Sequence, residues 1–176
     1  MADGETRRRE LVALLWGSSR PISGSELART FGVSRQVIVQ DIALLRATDK
    51  NILSTNKGYV LYRPDNKNGH VKRTMAVQHT DEQMQDELYL FVDNGGYVLD
   101  VVVEHEIYGQ ITADLILKNR RDVDEFIEKM SRITDRPLKE LTGGIHFHTV
   151  EAESEMILNR IEGQLKEKGY WIDVAR

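Results

Sequence analysis

The chain has 176 residues, of which 40 % are hydrophobic and 30 % are charged, and it contains no cysteine. This composition fits one or two globular domains and excludes a largely disordered chain, a disulfide framework and a thiolate metal site. No segment reaches the roughly 18 apolar residues of a membrane helix. The acidic start of the chain has no apolar stretch like that of a secretory signal, so we expect a cytoplasmic protein.

The charges are distributed unevenly along the chain. Residues 1–66 carry 10 Lys and Arg against 7 Asp and Glu, whereas residues 67–176 carry 14 against 21. A basic first part and an acidic second part indicate two domains with different partners, and a polyanion would suit the first. The difference is small, and a chance fluctuation of charge would also produce it.

The first 50 residues show the spacing of three helices. The predicted first helix, over about 5–16, has an apolar stripe formed by Leu11, Leu14 and Leu15. Ser23 and Glu26 form a capping box that predicts the start of a second helix. Ser34 is placed to cap a third helix, whose inner stripe consists of Ile38, Ile42 and Leu45. Two short helices joined by a tight turn are typical of a helix-turn-helix.

The outer face of the third helix is suited to reading base pairs. Its residues are Arg35, Gln36, Val39, Gln40 and Ala43. Arg and Gln make bidentate contacts with guanine and adenine edges, and Val or Ala can contact the thymine methyl group. Asp41 is unusual on such a helix, and we expect it to pair with a basic neighbour. A three-helix adaptor that does not bind DNA has similar stripes and remains open.

A β-hairpin is predicted directly after the third helix, over about 51–63, with its turn at residues 55–58. A hairpin in this position makes a winged helix and places Lys57 at the wing tip. From there its ammonium group could reach a phosphate or the minor groove.

The turn-rich segment 64–69 predicts the domain boundary, so we assign residues 1–66 and 67–176 to two domains. Strands and helices interleave in the second domain, which indicates an α+β two-layer sandwich. Thr80 and Gln83 form a further capping box. The predicted elements are strands over about 73–79, 97–104, 107–117, 144–150 and 170–172, and helices over about 81–93, 122–133 and 152–168.

Histidines in the second domain suggest a metal site. Strand alternation places His146 and His148 on one face of the strand over 144–150. His79 lies just before the predicted helix over about 81–93, and Glu87 lies within that helix. Three imidazoles and a carboxylate would suit Zn²⁺, Ni²⁺, Fe²⁺ or Mn²⁺. The same spacing also occurs in hydrogen-bonded histidines that bind no metal, so spacing alone leaves both interpretations open.

Four segments resemble a known family. "ISGSELARTFGVSRQVIVQDIALLRATDKNILSTNKGYVLYR" is similar to the helix-turn-helix module of bacterial small-molecule-responsive repressors, including the biotin-operon type. "VQHTDEQMQDELYLFVDNGGYVLDV", "VEHEIYGQITADL" and "LTGGIHFHTVEA" resemble the three-histidine (3H) domain of niacin-responsive transcriptional repressors. The resemblance extends over about residues 8–170. It implies an α+β chain: an N-terminal winged helix-turn-helix followed by an open-faced α/β sandwich with HPr-like topology.

The resemblance also implies ligands and partners. The implied metal is divalent, nickel or zinc, with iron or manganese as alternatives, and its ligands would be His79, Glu87, His146 and His148. The implied effector is nicotinic acid, with His105 and Tyr108 as effector-binding residues. Double-stranded operator DNA would contact Ser34, Arg35, Gln36, Gln40 and Lys57. We therefore expect a homodimeric repressor of niacin-transport or NAD-biosynthesis genes, with nicotinic acid as corepressor and no enzymatic activity.

Two alternatives belong to other classes. A metal-dependent hydrolase fused to a DNA-binding module would need a general base near the metal, and Glu104 and Glu106 are its candidates. A sibling repressor would sense a different carboxylate or a nucleotide.

The Lys and Arg residues of the second domain show no cluster in the sequence, so we expect a metal to supply the positive centre for nicotinate. In a competing interpretation the metal is structural and niacin packs elsewhere against apolar side chains.

Overall fold

The computed structural model describes residues 4–48, 51–62, 69–133 and 136–173. The chain divides into two compact units, Met1–Pro64 and Asp65–Arg176, and each unit has its own apolar core. The predicted boundary between residues 66 and 67 lies outside the described residues. Among the described helices, none is long and apolar enough to cross a membrane.

The first unit is a winged helix-turn-helix. Its elements are α1 (Gly4–Gly17), α2 (Gly24–Phe31), α3 (Arg35–Ala47), β1 (Ile52–Thr55) and β2 (Gly58–Leu61). Both predicted caps are present, because Ser23 Oγ accepts a hydrogen bond from the Glu26 N–H and Ser34 Oγ accepts one from the Val37 N–H. Gly32 ends α2 in the left-handed conformation, with φ of 63°.

The wing is fixed to the helices by backbone pairing. Ile22, between α1 and α2, exchanges two hydrogen bonds with Tyr59 of β2, with N–O distances of 2.8 and 2.9 Å. Gly58 begins β2 with φ of 131°, and a Cβ atom there would lie 2.4 Å from the Ile22 carbonyl oxygen. Only glycine permits this close approach, which sets the position of the β1–β2 turn.

Asp41 stabilises the first unit. It is 2 % exposed, and its carboxylate accepts hydrogen bonds from Arg7 Nε at 2.6 Å and Arg8 Nη1 at 3.2 Å. The expected pairing with a basic neighbour is confirmed, and it joins α3 to α1. Asp41 therefore belongs to the scaffold that orients α3 rather than to its outer face.

The second unit is an antiparallel sheet with helices on one face. Its elements are β3 (Val71–Gln78), α4 (Met84–Asp93), β4 (Tyr97–His105), β5 (Gly109–Leu117), α5 (Arg120–Arg132), a 3-10 helix (Leu138–Thr142), β6 (Ile145–Ala152) and α6 (Glu155–Glu167). The strand order is β3-β6-β4-β5. Inward-facing strand residues pack against α4, α5 and α6 in one core. The predicted α+β class is therefore confirmed, with the described helices packed against the sheet in a single core.

Three local predictions differ from the structure. Helix α4 begins at Met84 rather than near residue 81, because residues 81–83 form a turn in which the Met84 N–H bonds the Asp81 carbonyl. One half of the predicted capping box remains: Gln83 Oε1 accepts a hydrogen bond from the Thr80 N–H at 2.9 Å. The predicted strand at 170–172 is a single bridge between Val77 and Trp171. The 3-10 helix was not predicted.

Candidate metal centre and nucleic-acid interface

Four predicted ligands meet beneath the helices of the second unit. His79 follows the end of β3, Glu87 lies in the first turn of α4, and His146 and His148 lie on β6. In the β3–β6 register, these two histidines pair with Val77 and Met75, two buried core residues, so they point toward the helices. All four side chains are buried, with Glu87 fully inaccessible.

The ligand atoms lie close enough to share one ion. His79 Nε2 lies 3.3 Å from Glu87 Oε2, and His148 Nε2 lies 3.4 Å from Glu87 Oε1. One ligand atom each from His79, Glu87 and His146 lie within 4.8 Å of one another. With metal–ligand bonds of about 2.1 Å, two ligands on one ion lie roughly 3.0–3.4 Å apart. The cluster could therefore hold a metal ion.

Each imidazole is oriented by a backbone carbonyl. Nδ1 contacts the carbonyl oxygen of Thr80 at 2.7 Å in His79, of Gly144 at 2.9 Å in His146, and of Asp100 at 2.6 Å in His148. A carbonyl oxygen only accepts hydrogen bonds, so each Nδ1 carries the hydrogen and the neutral ring presents an Nε2 lone pair. Metal-binding histidines show this outer arrangement.

The converging atoms are ones that a cation would satisfy. His79 Nε2 and both carboxylate oxygens of Glu87 are buried and make no hydrogen bond within the described part of the chain. Lone pairs and a carboxylate in one buried space repel one another, and buried polar atoms without partners are costly. A divalent ion would satisfy all of them at once, so the residues present fit a metal.

The protonation states agree with metal binding. Burial, followed by the nearby His148, lowers the pKa of His146 to about 4, so this ring is neutral at pH 7. Burial alone would raise the pKa of Glu87, but positive charge on the surrounding histidines, His148 first, outweighs burial and lowers it. A divalent ion held by neutral histidines would act on this carboxyl in the same direction. Glu87 is therefore ionised at neutral pH. A neutral imidazole and an ionised carboxylate are the forms that bind divalent metals.

A cavity of about 220 Å³ opens beside this cluster. His79, Glu87, His146 and His148 contribute to its lining. The rest of its wall is apolar apart from two basic residues, Arg136 and Lys139. The cavity therefore has the composition of a small-molecule site, with apolar walls and a few polar groups.

No pattern in the sequence indicates that these two basic residues line a cavity. Lys139 is 4 % exposed, and its Nζ contacts the His79 carbonyl oxygen at 3.0 Å and Asp81 Oδ1 at 2.8 Å. Arg136 is largely exposed and contacts Glu140 at 3.5 Å. Two basic residues therefore line the cavity in the folded chain, and each of them also contacts a carboxylate, Lys139 that of Asp81 and Arg136 that of Glu140. Segment 136–139 has no helix or strand periodicity that would place it against the sheet. Its position depends on tertiary packing, which the sequence pattern does not reveal.

The two predicted effector residues lie away from this cavity. His105 ends β4, and its Nδ1 accepts hydrogen bonds from the Ile107 and Tyr108 N–H groups in the β4–β5 turn. His105 lines a second cavity, of about 890 Å³, which Glu104 and Glu106 also line. The role of His105 and Tyr108 in effector binding stays a prediction.

The predicted DNA-contacting residues lie on two elements of the first unit, α3 and the β1–β2 turn. Arg35, Gln36 and Gln40 are exposed on α3, and Val39 beside them is 40 % exposed. Ser34 is exposed at the start of the same helix, where it acts as the cap. Lys57 lies in the β1–β2 turn, with its N–H bonded to Thr55 Oγ1. The arrangement offers a helix for the major groove and a wing beside it.

Comparison with known proteins identifies relatives of both units. The 3H domain family model matches residues 72–174, and an HTH domain model matches residues 7–60. The chain is 43 % identical over 169 residues to "Probable transcription repressor NiaR" of Thermotoga maritima, covering 96 % of this chain and 95 % of that protein. It is 39 % identical over 170 residues to "Transcription repressor NadR" of Bacillus subtilis, covering 96 % and 94 %.

Proposed function

Because this chain belongs to the NiaR/NadR family of transcription repressors, we propose that it represses niacin-transport or NAD-biosynthesis genes in the cytoplasm, with nicotinic acid as corepressor. The names of the relatives point to niacin and NAD. The observation that carries the proposal is the buried cluster of three imidazoles and one carboxylate beside a ligand-sized cavity, in the unit that does not bear the recognition helix.

The proposed metal ligands are His79, Glu87, His146 and His148, and the proposed ion is nickel or zinc. Iron and manganese have compatible ligand preferences. When bound, the ion would supply a local positive charge in an acidic domain. The protein's own part is to hold three Nε2 atoms toward one point through the Nδ1 hydrogen bonds to backbone carbonyls.

The proposed DNA contacts are Arg35, Gln36 and Gln40 with base edges, and Ser34 and Lys57 with phosphate or the minor groove. One winged helix buries too little surface for tight and specific binding, so we propose a homodimer with two recognition helices on two half-sites. Nicotinic acid would favour the dimer arrangement in which both helices fit the operator, as a shift between existing states.

A hydrolase has less support. Among the described residues that line the cavity at the cluster, the sole carboxylate is Glu87, which the proposal assigns to the metal. Glu104 and Glu106, the candidate bases, line the other cavity. Within the described part of the chain, neither candidate base therefore lines the cavity at the cluster, and we propose no enzymatic activity.

Calorimetric titration of the metal-loaded full chain with nicotinic acid and nicotinamide tests the corepressor. The two ligands share a ring and differ in charge. We expect nicotinic acid to bind at least about tenfold more tightly than nicotinamide, because a charge-assisted hydrogen bond contributes more binding free energy than a neutral one by about that factor in affinity. Binding of neither ligand would contradict niacin as corepressor. Tighter binding of a different carboxylate or of a nucleotide would favour a sibling repressor.

A further inference from the structure

We infer that Asp100 is a positioning residue of the metal site: its carboxylate takes the place of a backbone partner of β6, which leaves the Asp100 carbonyl to orient His148. The inference deepens the proposed function, because it rests on the metal site proposed there. It gives a role to an irregularity of the sheet that the four ligands themselves do not explain.

The three cluster histidines differ in where the carbonyls that orient them come from. His79 Nδ1 contacts the carbonyl oxygen of the next residue, and His146 Nδ1 contacts the one two residues earlier. His148 Nδ1 instead contacts the carbonyl oxygen of Asp100 in β4, 48 residues away, at 2.6 Å. A rotation of this ring would move the Nε2 atom that lies 3.4 Å from Glu87 Oε1. His148 is therefore the ligand whose direction depends on the packing of two strands.

Strand β4 carries an extra residue where it runs beside the ligand-bearing part of β6. Three residues of β4, 99–101, lie opposite His148 and Thr149 of β6, and the pairing is shifted by one position across this segment. Asp100 is the middle residue of the three. Such a β-bulge interrupts the ladder and changes the direction of backbone groups, and bulges are frequent beside functional sites. The bulge therefore makes the Asp100 carbonyl available to a side chain.

The Asp100 carboxylate fastens this bulge to β6. Its Oδ1 atom accepts a hydrogen bond from the N–H of Thr149, the residue after His148, at 2.9 Å. In a regular antiparallel ladder that N–H would bond a backbone carbonyl of the neighbouring strand. The carboxylate takes the place of that carbonyl, so Asp100 bonds two successive residues of β6. The position of this side chain is thereby coupled to the direction of the His148 ring.

The strand on the other side of β4 is irregular at the same level. Two residues of β5, Leu115 and Ile116, lie opposite Leu99 of β4. Ile116 has φ of 56°, in the left-handed region that a β-branched residue rarely adopts. Strained residues persist where the surrounding structure requires them, and they cluster at functional sites. The geometry around Asp100 is therefore built into the sheet on both sides of β4.

Variants of Asp100 test its role through the zinc affinity of the full chain, measured by competition with a chelator. D100A removes the carboxylate and should weaken zinc binding about tenfold, a usual effect of changing a group behind a metal ligand. D100N keeps an acceptor oxygen at the same place and should bind zinc as the parent does. D114A removes the carboxylate that β5 pairs with Asp100, and it should also leave the affinity unchanged.

The histidine tautomers separate positioning from general stabilisation. Two-bond nitrogen–proton NMR spectra report which ring nitrogen carries the hydrogen, here in the metal-free full chain with its fold verified by circular dichroism. In the unmodified chain all three rings should carry the hydrogen on Nδ1. D100A should disturb this state in His148 alone, because His79 and His146 bond carbonyls of their own segments. A merely structural role of Asp100 would affect all three rings alike or none.

Parental zinc affinity in D100A would overturn the inference, as would a His148 tautomer that stays unchanged or changes together with those of the other two rings. A loss in D100N as large as in D100A would also overturn it, because the charge rather than the acceptor oxygen would then matter. D100E keeps the charge and displaces the oxygens by one methylene. It should weaken zinc binding as D100A does, and it decides the question if D100A does not fold, with parental affinity as the contradicting result.

Failure of the unmodified chain to bind zinc or nickel would instead contradict the metal site of the proposed function. The tautomers of the metal-free chain would still show whether Asp100 orients His148, so the two failures are distinguishable.

Discussion

The double variant H146A/H148A is expected to lose the bound metal, because it removes two of the four proposed ligands, both from the face of β6 that points into the cluster. The unmodified chain should purify with about one divalent ion per molecule, whereas the variant should carry almost none. An ion that binds only the folded state at 100 to 1,000 times its Kd adds about 3–4 kcal/mol to the free energy of unfolding.

The metal content is measured by inductively coupled plasma mass spectrometry, and the free energy of unfolding by denaturant titration with and without a chelator. We expect the chelator to destabilise the unmodified chain and to leave H146A/H148A unchanged. H105A is the matched control, since this histidine ends β4 and lies outside the cluster. A double variant that retains one ion would contradict the ligand assignment, as would an unmodified chain that cannot be loaded.

Substitution of Arg35 or Gln36 by Ala is expected to weaken operator binding by about 1–3 kcal/mol, because each substitution removes a bidentate contact with a base edge. It should also relax specificity at one base pair. The operator would be a duplex that the protein itself selects from a random library. Lys57→Ala should instead weaken binding to every sequence and reduce the salt dependence by about one phosphate contact.

Fluorescence anisotropy across several salt concentrations separates these effects. Arg121→Ala is the control for loss of an exposed positive charge, since this arginine belongs to α5 of the second unit and not to the unit that carries the proposed DNA contacts. Binding by R35A and Q36A that equals that of the parent would show that the outer face of α3 does not read the operator.

Much of this fold could be predicted because its signals are local. The caps at Ser23 and Ser34 are side chains that bond a backbone N–H three residues away, so residue type and spacing reveal them. The alternation through His146 and His148 is equally local, because strand geometry fixes which side chains share a face. The capping box at Thr80 was misleading because Gln83 bonds the Thr80 N–H across a turn that precedes α4.

The rest of the site depends on chain segments that are far apart. Spacing alone left the metal interpretation open, and the resemblance supplied the set of His79, Glu87, His146 and His148 that the fold brings together. Neither spacing nor resemblance indicated that Lys139 would be buried against His79, 60 residues earlier in the sequence. A lysine in a short 3-10 helix has no sequence pattern that distinguishes burial from exposure. The basic residues that line the cavity, Arg136 and Lys139, could therefore be identified only from the folded structure.

Operator affinity of the metal-loaded chain, measured with and without nicotinic acid at fixed salt, tests most directly whether the 3H domain controls the DNA-binding domain. We predict that nicotinic acid raises the affinity at least about tenfold, the size of a typical coupling between two sites. Removal of the metal by a chelator, with the fold verified by circular dichroism, should abolish that increase. Equal operator affinity with and without nicotinic acid in the metal-loaded chain would contradict the proposal.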